Sequence, residues 1–192
     1  MDSGAFSAHH SNAVIDVVEY GEKCKELLAT DEKLVEIFNL DDIADWRVSE
    51  KNCETLLAMG VPAIPCFHYG EPWDVLIQMA KDHPKLAIGG CVGLHKKIKN
   101  EFAAQCFSRI WPKKVHGFGF GGEEAILSLP FHSVDATNWE SGPCRFGNWK
   151  QFGKASVRGG SQNLRGEVLW YLDLERRARF KWKKEMALLE GL

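Results

Sequence analysis

A recurring interval limits what this chain can fold into. Short apolar runs, each closed by a polar residue or a glycine, end near residues 41, 68, 89, 117 and 135, at spacings of about 27, 21, 28 and 18 residues. Each interval holds one strand and one crossover helix, and right-handed βα crossovers build parallel sheets or (β/α) barrels. The spacing predicts strands over 34–40, 63–68, 85–88, 114–118 and 131–134. It predicts helices over 20–29, 50–59, 73–82, 96–110 and 123–129. Residues Ile98, Phe102 and Cys106 give the fourth of these an apolar stripe at i, i+4, i+8, and Trp73, Leu76, Ile77 and Ala80 give the third one. After residue 139 the pattern changes. Residues 139–162, rich in Gly, Ser and aromatics, read as loop, and 164–189 reads as one long helix. The expected organisation is a barrel portion over 1–139 and a basic aromatic loop with a C-terminal helix over 140–192, in the same domain.

Charge is spread unevenly. The net charge is −2, yet residues 145–184 hold eleven Lys/Arg against three acids, leaving thirteen basic and twenty-three acidic residues elsewhere. A basic tail with interleaved aromatics on an acidic body is a candidate polyanion footprint, or equally a solvated helix face. No run of about 18 apolar residues occurs, so no membrane span is expected. Met1-Asp2-Ser3-Gly4 has neither a basic nor an apolar leader, so the expected compartment is the cytoplasm. The six cysteines (24, 53, 66, 91, 106 and 144) form no C-x-x-C or C-x-C pair, which argues against a zinc ribbon and for reduced thiols. There is also no H-x-H or H-E-x-x-H, so no metal and no cofactor are expected.

The strand ends carry residues useful to chemistry: Asp41, His68, Gly89-Gly90, His116-Gly117 and Asp135. Each has a plain structural reading. Asp135 suits a turn, Asp41-Asp42 a helix N-cap, the histidines a hydrogen-bonded core and the glycines a βα turn. Their succession is more informative than any one of them, because active sites of (β/α)8 barrels sit at the C-terminal ends of the strands.

In chain order stand D-S-G-A-F (2–6), N-L-D (39–41), P-C-F-H-Y-G-E (65–71), A-I-G-G (87–90), H-G-F-G (116–119) and S-V-D-A-T-N-W (133–139). This series resembles the tRNA-guanine transglycosylase superfamily, and within it the phage and bacterial branch that places 7-deazaguanine bases in DNA. The resemblance covers about residues 2–139. It implies a (β/α)8 TIM-barrel fold and exchange of guanine for a 7-deazaguanine such as preQ0, preQ1 or queuine.

The resemblance also implies roles. Asp135 matches the nucleophilic aspartate, which would attack C1′ of the sugar, expel guanine and hold a covalent sugar ester. The chemistry parallels a retaining glycosidase. Asp2, with Ser3 after it, matches the aspartate suited to proton transfer at the base. Asp41 matches the acceptor of the purine's N–H edge. Gly89 and Gly90 match backbone positions that approach the base, His68 (with Glu71 nearby) a polar base contact, and His116 a motif of the DNA-type branch. Arg145, Lys150, Arg158 and Arg165 would meet the nucleic-acid backbone.

Three departures shape the expectation. The zinc motif of the tRNA enzymes is missing, which favours DNA over RNA as substrate. Cys91 replaces the family's leucine after the glycine pair. The first matched motif begins at Asp2 with no apolar run before it, so the expected fold is an α/β barrel of the (β/α)8 type lacking its first strands, with a basic helical C-terminal extension. A second chain or a homo-oligomer would complete it. The alternatives are an inactive, truncated barrel that binds nucleic acid or a purine base, and an unrelated metal-dependent barrel hydrolase, which would need His and Asp side chains converging at metal distance.

Overall fold

Aspartates set where the first helices begin. Asp16 Oδ1 accepts from the backbone N–H groups of Val18 (2.8 Å) and Glu19 (3.0 Å), starting α1 at Val17–Thr30. Asp45 Oδ1 accepts from Arg47 N–H at 3.0 Å, starting α2 at Trp46–Ala58. Such caps satisfy helix donors that have no partner within the helix. They extend both helices three or four residues N-terminal of where apolar periodicity alone would start them. Between them lies the short strand β1, Ile37–Phe38. The computed structural model describes residues 1–5, 14–42, 44–135, 148–151, 154–158 and 164–190. Its two compact units are Met1–His116 and Gly117–Leu192, a division that falls earlier than the change of sequence character after 139.

The first unit is mixed α/β around parallel strands. Strand β1 pairs in parallel with β2 (Ala63–Ile64), with Ile37 opposite Ala63 and Phe38 opposite Ile64. Strand β3 (Cys66–His68) pairs in parallel with β4 (Lys85–Gly89), with His68 opposite Gly89. The run 63–68, expected as one strand, is split at Pro65, which has no N–H to give a ladder. Pro65 still accepts from Ala87 N–H at 2.8 Å, so the run bridges β1 on one side and β4 on the other. Strand β5 (Lys114–Gly117) follows beside β4. Met1 lies outside β1, donating to Glu36 O and accepting from Phe38 N–H at 3.0 Å, the pattern of a parallel bridge to Ile37. Spatial order therefore follows sequence order from Met1 to β5 with no reversal.

Both faces of these strands are covered, as parallel sheets require. On one face Ile37 joins Tyr20 and Cys24 of α1, Cys53 and Leu56 of α2, and Val61. Helices α3 (Trp73–Asp82) and α4 (Lys96–Ile110) match their expected bounds residue for residue. Trp73 and Phe102 meet the buried ring of Phe67 at centroid distances of 5.7 and 5.9 Å. Ile98 departs from the expected stripe: it is exposed, and α4 buries Phe102, Ala103, Cys106, Phe107 and Ile110 instead. On the other face Phe38 of β1 meets His116 of β5, ring centroids 4.5 Å apart. Three interstrand spacings would separate those strands by about 14 Å in a flat sheet. The strands therefore curl around an interior that holds these two rings. No sheet closes on itself among the described residues.

In the second unit, α5 (Glu123–Ser128) precedes β6 (Ser133–Val134). Part of the segment read as loop is an antiparallel hairpin, β7 (Asn148–Gln151) against β8 (Lys154–Arg158). Helix α6 spans Leu164–Glu190 and buries Glu167, Trp170 and Leu174 at i, i+3, i+7. It rests on α5 through Trp182 Nε1–H to Ile126 O (3.1 Å) and Arg177 to Glu123 (2.8 Å). No described helix is long and apolar enough to cross a membrane.

Candidate functional site

The two edges of the curled sheet differ in chemistry. At the N-terminal edge Lys85, at the start of β4, pairs with Glu36, just before β1. At the C-terminal edge the chain leaves β1 through Asn39, Leu40 and Asp41, and leaves β3 at His68. Cys66 and His68 stand at i and i+2 on one strand and so share a face. Asp41 Oδ2 lies 3.6 Å from His68 Nε2. The atoms Asp41 O, Cys66 Sγ and His68 N all lie within 4.8 Å of one another.

Each group is held by its neighbours. Asn39 Nδ2 donates to Asp41 Oδ1 (3.0 Å) and to Ser49 O (2.8 Å), which orients the carboxyl. Asp42, not Asp41, organises the following turn: its Oδ1 accepts from Ala44 and Asp45 N–H at 2.8 Å each. Glu71 clamps His68 twice. Its Oε1 is 2.9 Å from Nδ1, and its Oε2 accepts the His68 backbone N–H at 3.0 Å. An ionised carboxylate only accepts, so Nδ1 carries a proton toward Glu71 and Nε2 is the ring nitrogen that faces Asp41. Beyond Asn39, no group among the described residues donates a hydrogen bond to the Asp41 carboxyl.

Burial dominates the electrostatics. Asp41 is 10% exposed. Loss of water pushes its carboxyl from 3.8 up to about 7, opposed by the His68 charge and the Asn39 hydrogen bond and reinforced by the charges of Glu71 and Asp2. Burial alone would lower His68, but the Glu71 hydrogen bond and the charges of Asp41 and Glu71 outweigh it and hold the imidazole above its usual value. Burial also raises the Cys66 thiol well above the ordinary range.

Glu71→Gln tests the clamp. The amide keeps one acceptor, but its NH2 must face either the His68 N–H or Nδ1–H. The expected result is a loss of about 1–3 kcal/mol and a switch of the His68 proton to Nε2. Urea unfolding and long-range ¹H–¹⁵N correlation of the imidazole read the two effects. Unchanged tautomer and stability would refute the clamp.

The other expected residues separate into distinct roles. Asp2 is exposed, its Oδ1 3.4 Å from Gly4 N–H, and it is close enough for its charge to act on Asp41. Ser3 Oγ accepts from Ala5 N–H at 3.3 Å. Gly89 O accepts from Tyr69 N–H (3.1 Å) and from the Cys91 thiol (3.3 Å). Gly90, at φ +70°, leaves no room for a side chain, since a Cβ there would lie 2.9 Å from His68 Cβ and 3.0 Å from Tyr69 N. The close approach that requires glycine here comes from the chain's own β3. Gly90→Ala should therefore lower stability by about 1–3 kcal/mol, with the urea midpoint falling at constant slope. An unchanged midpoint would contradict this packing.

His116 is buried against Phe38. In the second unit Asp135 follows β6 and is exposed. Its N–H donates to Gly117 O (3.3 Å), and its Oδ1 accepts from Gly119 N–H at 2.6 Å. Of the backbone-binding candidates, Arg165 is exposed on α6. Lys150 and Arg158 fall on β7 and β8, their side chains outside the described residues, as is Arg145 altogether. Arg176, Arg177 and Arg179 of the basic tail pair with Asp173, Glu123 and Glu175, which takes up part of its charge.

Sequence reasoning placed Asp41 and His68 but missed Cys66 and left Glu71 without a role. The available signal was C-x-H on a strand, where period 2 puts both donors on one side. No family model matches the chain, and comparison with curated proteins and with solved structures likewise yields no match.

Proposed function

We propose that the chain is a nucleic-acid guanine transglycosylase of (β/α) barrel type that exchanges guanine for a 7-deazaguanine base, with DNA as the expected substrate. The observation that carries this reading is the Asp41 carboxyl. It is buried at a strand end, oriented by Asn39, and its Oδ2 accepts no hydrogen bond from the described residues. Guanine presents adjacent N1–H and N2–H donors, and a preoriented carboxylate is the acceptor that suits them. Asp2, His68 and Gly89 lie at the same C-terminal edge, where parallel α/β folds bind ligands. The curl of the strands and their unreversed order support the barrel reading.

In this reading Asp135 attacks C1′ as the C1′–N9 bond breaks and guanine departs with a proton, for which Asp2 is the donor. The incoming deazaguanine then attacks C1′, loses its own proton and frees the carboxylate. A base in a duplex must be flipped out or single-stranded to reach such a site.

The test is incubation with guanine-containing single- and double-stranded DNA and with tRNA, with and without deazaguanine bases. Guanine release and denaturation-resistant adducts are read by mass. The expected result is an adduct with DNA that a deazaguanine base discharges. Release of no guanine and formation of no adduct with any substrate would overturn the reading. Salt-sensitive DNA binding in that case would leave a non-catalytic binding module.

A further inference from the structure

We propose that Asp41, Cys66 and His68 bind a single divalent cation of the zinc type. The geometry makes the case. Glu71 engages Nδ1 of His68, which leaves Nε2 as the ring nitrogen available to a ligand, and Nε2 faces Asp41 Oδ2 at 3.6 Å. That distance is too long for an N–H···O hydrogen bond. It lies at the upper end of the separation of a nitrogen and an oxygen ligand on one tetrahedral ion, about 3.3–3.6 Å for bonds of 2.0–2.2 Å.

The third donor, Cys66 Sγ, is within 4.8 Å of both and buried. It needs a shift of about 1 Å to complete three corners of a tetrahedron. The His68–Glu71 contact is the outer carboxylate that commonly fixes a ligating imidazole. A Cys–His–carboxylate set favours a borderline-soft ion such as Zn(II) over Mg(II) or Ca(II), which take oxygen ligands. Binding releases the thiol proton to solvent. Three protein ligands would leave the fourth corner to water or to a ligand atom.

This goes beyond base exchange. It is tested with neither nucleic acid nor base present, so failure of either reading leaves the other standing. Full-length protein stripped with a chelator is titrated with Co(II). The expected result is saturation at one equivalent, with a thiolate-to-Co(II) charge-transfer band that Zn(II) displaces. Cys66→Ser should abolish the band. His68→Gln should weaken binding at least ~100-fold, more than the ~10–100-fold loss typical of an outer-shell change. Cys24→Ser, on the buried face of α1, should leave both intact. X-ray absorption of the zinc-loaded wild type should show one sulfur with nitrogen and oxygen neighbours, which keeps the test decisive even where a variant does not fold. A wild type with no saturable band, a band that survives Cys66→Ser, or a metal shell without sulfur would overturn the proposal.

Discussion

Asp135→Asn is expected to leave a protein as stable as the wild type that releases no guanine and forms no adduct. The substitution separates the two roles open to this side chain. In the structure Asp135 Oδ1 accepts Gly119 N–H at 2.6 Å, at a turn where Gly119 has φ +71°. An asparagine carbonyl accepts the same bond, and Asn serves such turns as well as Asp does. If holding the turn were its only role, stability and base exchange would both survive. As the nucleophile, the carboxylate is irreplaceable, because a neutral amide neither attacks C1′ nor stabilises an oxocarbenium-like transition state. The loss of exchange should be on the order of 10⁴-fold or more, the scale seen when one member of a nucleophilic unit is removed. Urea unfolding and the adduct assay on one preparation provide the comparison. Exchange within a few-fold of wild type would remove Asp135 from the chemistry.

What the sequence revealed, and what it hid, follows from the range of the interactions involved. Helices α3 and α4 were legible to the residue because their limits are local, set by Pro72 before one and by the His95 cap and the Trp111-Pro112 exit of the other. The starts of α1 and α2 were misplaced because single aspartates, Asp16 and Asp45, override the apolar period. Pro65 was visible, but its consequence was not, since a missing N–H matters only once the neighbouring strands are known. The hairpin β7–β8 was read as loop because glycine, serine and other polar residues dominate the composition of the segment 139–162 around it. At the candidate site the strand-end positions of Asp41 and His68 were legible from the spacing. The role of Cys66 depends on strand direction and on Asp41 arriving from a strand about 25 residues earlier, which no local pattern encodes. Gly90 was legible as a special position for a different reason: it makes way for His68 and Tyr69 of β3.

Asp41→Asn is expected to make the metal-free protein more stable above neutral pH and to flatten its stability profile. The carboxyl titrates at about 7 in the fold against an ordinary 3.8, because burial disfavours its charge more than His68 and Asn39 favour it. Between those values the folded chain holds a proton that the unfolded chain has released, so stability falls as pH rises through the window. The contribution is fully present below about 3.8 and lost above about 7. His68, also raised, acts in the same direction from its ordinary value upward. A tenfold change in proton affinity on folding is worth roughly 1.4 kcal/mol, so charging Asp41 destabilises the fold by on the order of 4 kcal/mol at most. An asparagine keeps the carbonyl that Asn39 Nδ2 bonds, removes the charge, and offers its own N–H to His68 Nε2. Urea unfolding from about pH 4 to pH 8.5 in chelator should show near-equal stability at the acid end and a variant advantage of about 2–4 kcal/mol at the alkaline end. Parallel curves would mean that Asp41 is not charged at a cost in the fold. Both proposed occupants of the site, a purine N–H edge and a divalent cation, would partner Asp41 Oδ2, which accepts no hydrogen bond from the described residues. Either one, bound to the wild type, should restore at about pH 8 the stability that the asparagine variant has without it.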